Sequence, residues 1–230
     1  MAILVEDLGK FLGRTIQTPY NTPVGKLIGV DTNIRNEVTQ VNVEQASGIL
    51  AKYPVAQVRI QDGSIVLSPA WKNEAADLER EYQTASRRMS ALKSLLSDGD
   101  IDTAAYREMT SEYESAIRAM ESRRVALLDS LKERTLKLEE EIRRLQLALT
   151  DNKLLYSSGV VEPIAYKEAC QIIHEMLDGH LAEKKDIQAT LESLTSLERG
   201  SSSHEPIEPR GTQQEIPDFV VVKINEETPA

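Results

Sequence analysis

Trp71-Lys-Asn-Glu-Ala75-Ala-Asp-Leu78-Glu-Arg-Glu-Tyr82-Gln-Thr-Ala85-Ser-Arg-Arg-Met89-Ser-Ala-Leu92-Lys-Ser-Leu-Leu96 holds an apolar residue at every position of a 4-3-4-3-4-3-4 spacing. That period is a heptad seam, one stripe along a helix that needs a partner helix to cover it. Asp98-Gly99-Asp100 stops the pattern. A second seam follows through Tyr106, Met109, Tyr113, Ile117 and Met120, then Leu127, Leu131, Leu138, Ile142, Leu145 and Leu149. Between Met120 and Leu127 it passes through Arg124, which reads as a soft, water-exposed step. After Pro163, a residue suited to a first helical turn, a third stripe carries Tyr166, Cys170, Ile173, Leu177, Ile187, Leu191 and Leu194.

The two interruptions are copies of each other. Lys93–Glu108 aligns without gaps on Lys153–Glu168, sixty residues on, with Gly99 matching Gly159 and Tyr106 matching Tyr166. Each copy reads as a helix end, a glycine able to take the left-handed conformation, and a new helix start. Two αα-corners, near 98–102 and 158–162, therefore turn residues 71–199 into a three-helix rod. The outer helices fold back antiparallel on the two halves of a middle helix roughly 80 Å long. A rod two helices thick leaves seam uncovered, so self-association is expected. The seam residues are Trp71, Leu78, Tyr82, Met89, Leu92, Tyr106, Tyr113, Leu131, Leu138, Ile142, Leu145 and Leu149.

The flanks differ from the rod. Residues 1–70 carry no net charge and alternate in short β-like runs: Gly13–Gln17, Gly25–Asp31, Val38–Glu44, Val58–Ile60 and Ile65–Leu67. Five or six strands in so short a stretch make a small barrel or rolled sheet. The expected fold class is thus α+β, a β barrel followed by a helical rod. Residues 200–215 have linker composition. Ile216-Pro-Asp-Phe-Val-Val-Val-Lys-Ile-Asn-Glu226 is then an apolar strand peptide. It suits addition to a partner's sheet edge, or docking on its own β domain.

Composition narrows the chemistry. The chain has 230 residues, ten aromatic side chains, one cysteine and a net charge of −10. One cysteine excludes an internal disulfide framework, and the charge weighs against a dedicated nucleic-acid binder. No signal peptide or membrane-spanning run is read, so a cytoplasmic chain is expected. No phosphate loop, metal-ligand cluster or nucleophile motif appears. The chain reads as a non-enzyme with no cofactor, no metal site and no catalytic residue. His174 and His180 fall on different faces of the third helix, and Cys170 is most simply a small apolar residue. The doublets Arg87-Arg88, Arg123-Arg124, Arg143-Arg144 and Lys184-Lys185 suit interhelical salt bridges. Lined up along a polymer, they would instead meet phosphates or anionic headgroups.

With Leu8–Leu67 running into Pro69-Ala70-Trp71-Lys72, and with the tail at Ile216–Ile224, the chain resembles the archaeal CdvA cell division family. The resemblance implies a PRC-like barrel, a coiled coil and a tail that binds an ESCRT-III homologue, CdvB. It implies a scaffold that forms homo-oligomers or filaments at the mid-cell division site, on the inner face of the membrane. Association with DNA is also a family trait. The recruiting role carries over to Ile216, Pro217, Phe219, Val220, Val221, Val222 and Ile224. By strand alternation Val220, Val222 and Ile224 would face the partner's core. The alternative is a PRC-barrel adaptor in RNA processing or nucleoid organisation, with the coil as spacer or oligomeriser.

Overall fold

The computed structural model describes residues 3–61 and 63–201, with side chains through residue 197. The expected strand peptide and nearly all of the linker before it, His204 included, lie outside the described residues. Within them the chain is α+β: a six-stranded sheet followed by three long helices.

A short helix, α1 (Val5–Gly9), precedes β1 (Thr15–Gln17), β2 (Pro23–Thr32), β3 (Val38–Gln45), β4 (Leu50–Pro54), β5 (Val58–Gln61) and β6 (Ser64–Leu67). The sheet order is β4-β3-β2-β1-β6-β5, antiparallel except where β1 meets β6. Its two outermost strands, β4 and β5, are consecutive in sequence and joined by a single 3-10 turn, Val55–Gln57. Three residues reach only about 10 Å, so the sheet must roll until its edges meet. Inside the roll, Leu8, Phe11, Ile16, Leu27, Val41, Val43, Val58 and Ile65 form one buried cluster. The strand Leu50-Ala-Lys-Tyr-Pro54 has no counterpart among the runs singled out in the sequence. Its burial alternates, but the outward positions hold Leu50, Lys52 and Pro54 and the inward ones Ala51 and Tyr53, so apolar and polar residues do not alternate with it. The β5–β6 turn closes at Gly63, whose φ of 74° suits a hairpin glycine.

Three helices make the rod: α2 (Ala70–Asp98, 29 residues), α3 (Thr103–Ser157, 55 residues) and α4 (Pro163–Ser201, 39 residues). The two corners are the same turn. Gly99 and Gly159 take φ of 80° and 75°. Asp100 N–H donates to Leu95 O and Gly99 N–H to Leu96 O; sixty residues on, Val160 donates to Leu155 and Gly159 to Tyr156. This is the Schellman pair of bonds that satisfies the last carbonyls of a helix. Asp102 then caps α3, accepting from Ala105 N–H at 2.7 Å. At the second corner Tyr156 stacks on Tyr166 across the turn, centroids 4.4 Å apart.

The rod is not uniformly two helices thick. α2 and α4 together outrun α3, so they pass one another beside its middle. There Ala75, Leu78, Tyr82 and Ala85 from α2 meet Met120, Leu127, Leu131 and Leu138 from α3 and Ile187 and Leu194 from α4. Among the described residues, the two ends, toward each corner, are two-helix hairpins.

Neither corner glycine has anything within 4 Å of where a Cβ would sit, so the left-handed backbone alone penalises a side chain there. Gly99→Ala and Gly159→Ala should each destabilise the rod by about 1–2 kcal/mol, read as a lower midpoint in denaturant. An unchanged midpoint for both would contradict the shared turn.

Candidate functional site

The crossing of the three helices is where the rod concentrates its polar chemistry. Arg124 is only 3% exposed. Its guanidinium grips the Glu121 carboxylate twice, Nε to Oε2 at 2.8 Å and Nη2 to Oε1 at 2.6 Å. Nη1 donates to the carbonyl of Leu194 on α4 at 3.1 Å. Glu121 also accepts from the Tyr82 hydroxyl on α2 at 2.9 Å. One cation thus ties all three helices together. The Arg124 bonds hold the Glu121 carboxyl below the usual range, while burial, with Glu121 beside it, pushes the Tyr82 phenol up to about 12. The expectation of a water-exposed step is corrected here. Pairwise helix packing would leave this position at the surface, but the third helix closes over it.

A second clasp joins the sheet to the rod. Tyr20 donates its hydroxyl proton to Asp186 Oδ2 at 2.6 Å, and Lys72 Nζ reaches the same oxygen at 2.5 Å. Burial alone would raise the Asp186 pKa. The bonds from Lys72 and Tyr20 outweigh it and hold the carboxyl below its ordinary value. Beside the clasp, a Cβ on Gly179 would lie 2.5 Å from the Tyr20 carbonyl oxygen. A glycine inside a helix is a sequence signal for such a close approach, and it was the one available clue to this docking. Tyr20, Lys72 and Asp186 carry no pattern that would single them out.

The seam residues go to work within one chain. Leu78, Tyr82, Met89, Leu92, Leu131, Leu138 and Ile142 are buried, and Trp71, Tyr106, Tyr113, Leu145 and Leu149 are half-buried. The partner-binding set Ile216, Pro217, Phe219, Val220, Val221, Val222 and Ile224 lies outside the described residues. Of the basic doublets, Arg123 bridges to Glu81 on α2 and Lys184 to Glu139 on α3, both at 2.8 Å. Arg144 pairs along its own helix with Glu140. Arg87, Arg88, Arg143 and Lys185 make no ion pair among the described residues. His174 Nδ1 lies 2.6 Å from the Cys170 carbonyl, and His180 Nε2 lies 3.8 Å from Glu141. Among the described residues, no group of three or more His, Cys, Asp and Glu is arranged to hold a metal, and no helix is long and apolar enough to cross a membrane. What the rod offers chemically is surface. Pinned in register by the two clasps, it presents two hairpin ends and the grooves between its helices.

Comparison with known proteins agrees with this architecture. The profile of the CdvA-like coiled-coil domain matches residues 70–216, the rod and the chain beyond it. Cell division protein A of Sulfolobus acidocaldarius is 27% identical over 199 residues, covering 86% of this chain and 83% of that protein.

Two measurements probe the clasps. Glu121→Ala takes away the carboxylate that Arg124 grips twice and the acceptor of the Tyr82 hydroxyl at once, whereas Glu121→Gln keeps an acceptor for both. The first should cost about 1–3 kcal/mol and the second distinctly less; the reverse order in denaturant melts would refute the pairing. Because folding lowers the pKa of Asp186, its stabilisation is full above the ordinary aspartate pKa of about 4 and is lost as pH falls through the folded value. A melting-temperature series from pH 7 to 3 should therefore fall less steeply for Asp186→Asn than for the wild type.

Proposed function

Because the chain belongs to the family of CdvA-like coiled-coil proteins, we propose that it is a non-enzymatic scaffold of cell division. In this reading the rods associate into filaments at the division site, on the inner membrane face, and the tail recruits an ESCRT-III homologue of the CdvB kind. The observation that carries the reading is the match of the coiled-coil profile to 147 residues, from 70 to 216. The likeness to a protein named for cell division points the same way.

The structure lends the reading physical support. Rods with two-helix ends and a three-helix middle leave the ends under-covered, which favours lateral or end-on association. The side chains that hold the rod are ion pairs and apolar seams suited to rigidity, and the sheet is clasped to the middle of the rod by Asp186. Sequence 216–224 alternates apolar residues with few charges, as strand addition to a sheet edge requires.

Deleting residues 213–230 should abolish binding of the ESCRT-III partner in a pull-down while the remaining chain still assembles by light scattering. Retained binding would overturn the tail assignment. A nucleic-acid role would show itself otherwise, as tight DNA or RNA binding whose affinity collapses with added salt.

A further inference from the structure

The two corners are one turn built from two sets of residues. At the first, Ser94, Asp98, Asp100, Asp102 and Ala104 surround the glycine. At the second, the matching residues are Leu154, Ser158, Val160, Glu162 and Ile164. Both corners make the same backbone bonds, so the turn itself does not require the apolar set. Yet Leu154, Val160 and Ile164 are 67%, 70% and 75% exposed. From Leu154 through Val161 there is no charged residue. The second corner is therefore a convex apolar knob on the end of a two-helix hairpin, a feature that marks an interaction surface.

A matching hollow lies on the same molecule. Beside the α2–α3 pair, Tyr82, Met89, Ile117 and, from α4, Leu197 line a groove of about 510 Å³, whose charged lining is Arg87, Arg118 and Glu114, two cations against one anion. Arg87 has no ion partner among the described residues, and Arg118 has only a 3.9 Å approach to Glu114. The knob carries the opposite sign. Glu162 is exposed and likewise makes no ion pair among the described residues.

We propose that the second corner of one copy seats in this groove of the next, with Glu162 facing Arg87 and Arg118. The proposal rests on the self-association above and names its two surfaces. The charge match on one chain favours a second copy over a lipid surface, into which Glu162 would enter at a cost. The two-helix end of one rod then lies beside the two-helix end of the next and restores the thickness of the middle. Knob and groove are different surfaces, so the contact is heterologous and propagates as an open filament. Along α3 the groove at Ile117 and the knob at Val160 are roughly 65 Å apart at 1.5 Å per residue. That distance is the expected axial repeat.

The test writes the first corner into the second: Leu154→Ser, Val160→Asp and Ile164→Ala, the residues that hold the matching positions of the same turn at the first corner. A groove variant, Arg87→Glu with Arg118→Glu, alters only exposed side chains. Each alone should raise the concentration at which the full chain assembles, read by light scattering, by at least about tenfold. Mixed one to one, the two variants retain a single good knob and a single good groove, and should form a discrete dimer in analytical ultracentrifugation. Three results would overturn the interface: wild-type assembly by the grafted corner; assembly lost in the graft but kept in the groove variant, which means knob-to-knob contact; or unchanged assembly with lost pelleting on anionic phospholipid vesicles, which means a lipid occupant. A wild-type chain that stays monomeric at every concentration would instead remove self-association itself.

Discussion

Helices of 29 and 39 residues folding back on one of 55 must run past each other beside its middle. Most of the rod's character follows from that overlap. Where three helices meet, their stripes close on one another and form a continuous apolar core within a single chain. Where only two meet, each helix keeps a flank in water. The corners enforce the arrangement, because a Schellman turn at Gly99 and another at Gly159 fix both returns as antiparallel and leave no slack to slide.

Arg124 is the cost and the benefit of the crossing. A buried cation adds little net stability compared with an apolar residue of the same bulk. Its fork meets Glu121 on its own helix and the Leu194 carbonyl across the interface. Helix carbonyls recur every turn, about 5.4 Å, so that contact joins the helices without choosing their register. Arg134 on α3 chooses it, meeting both oxygens of Glu183 on α4 at 2.9 Å. A one-turn slip of α4 would part this pair, whereas leucine seams tolerate such slips, since one leucine packs much like the next.

Much of this was legible because the signals are local. The 4-3 spacing from Trp71 to Leu96 and the sixty-residue repeat of the corners are each contained in a few turns of chain, and they announce an α+β molecule with a helical rod. The sheet was less complete: in Leu50–Pro54 an apolar Leu50 and Pro54 face outward and a small Ala51 inward, so residue type does not follow the strand's alternating burial. The clasp was harder to read for a different reason. Tyr20 and Asp186 are 166 residues apart, and the helical Gly179 hints at a close approach without saying to what. The burial of Arg124 was unreadable likewise, because it depends on a third helix arriving from seventy residues downstream.

The position of the clasp shapes what the polymer would present. The sheet binds α4 near Gly179 and Asp186, beside the start of α2, and so sits at mid-rod with both hairpin ends clear of it. Residue 201 follows closely on Leu197, which lines the groove, so in the proposed contact it would lie near the junction between neighbouring copies. From residue 202 to the apolar run at 216 the chain can span at most about 50 Å even if fully drawn out. That is shorter than a repeat of roughly 65 Å. No tail peptide could then reach the next junction, and tails would be spaced along a filament by its repeat. A partner that itself polymerises would meet many weak peptides at a fixed spacing, and the second and later contacts would form at high effective concentration. Recruitment would depend on assembly without any change in the peptide's own affinity.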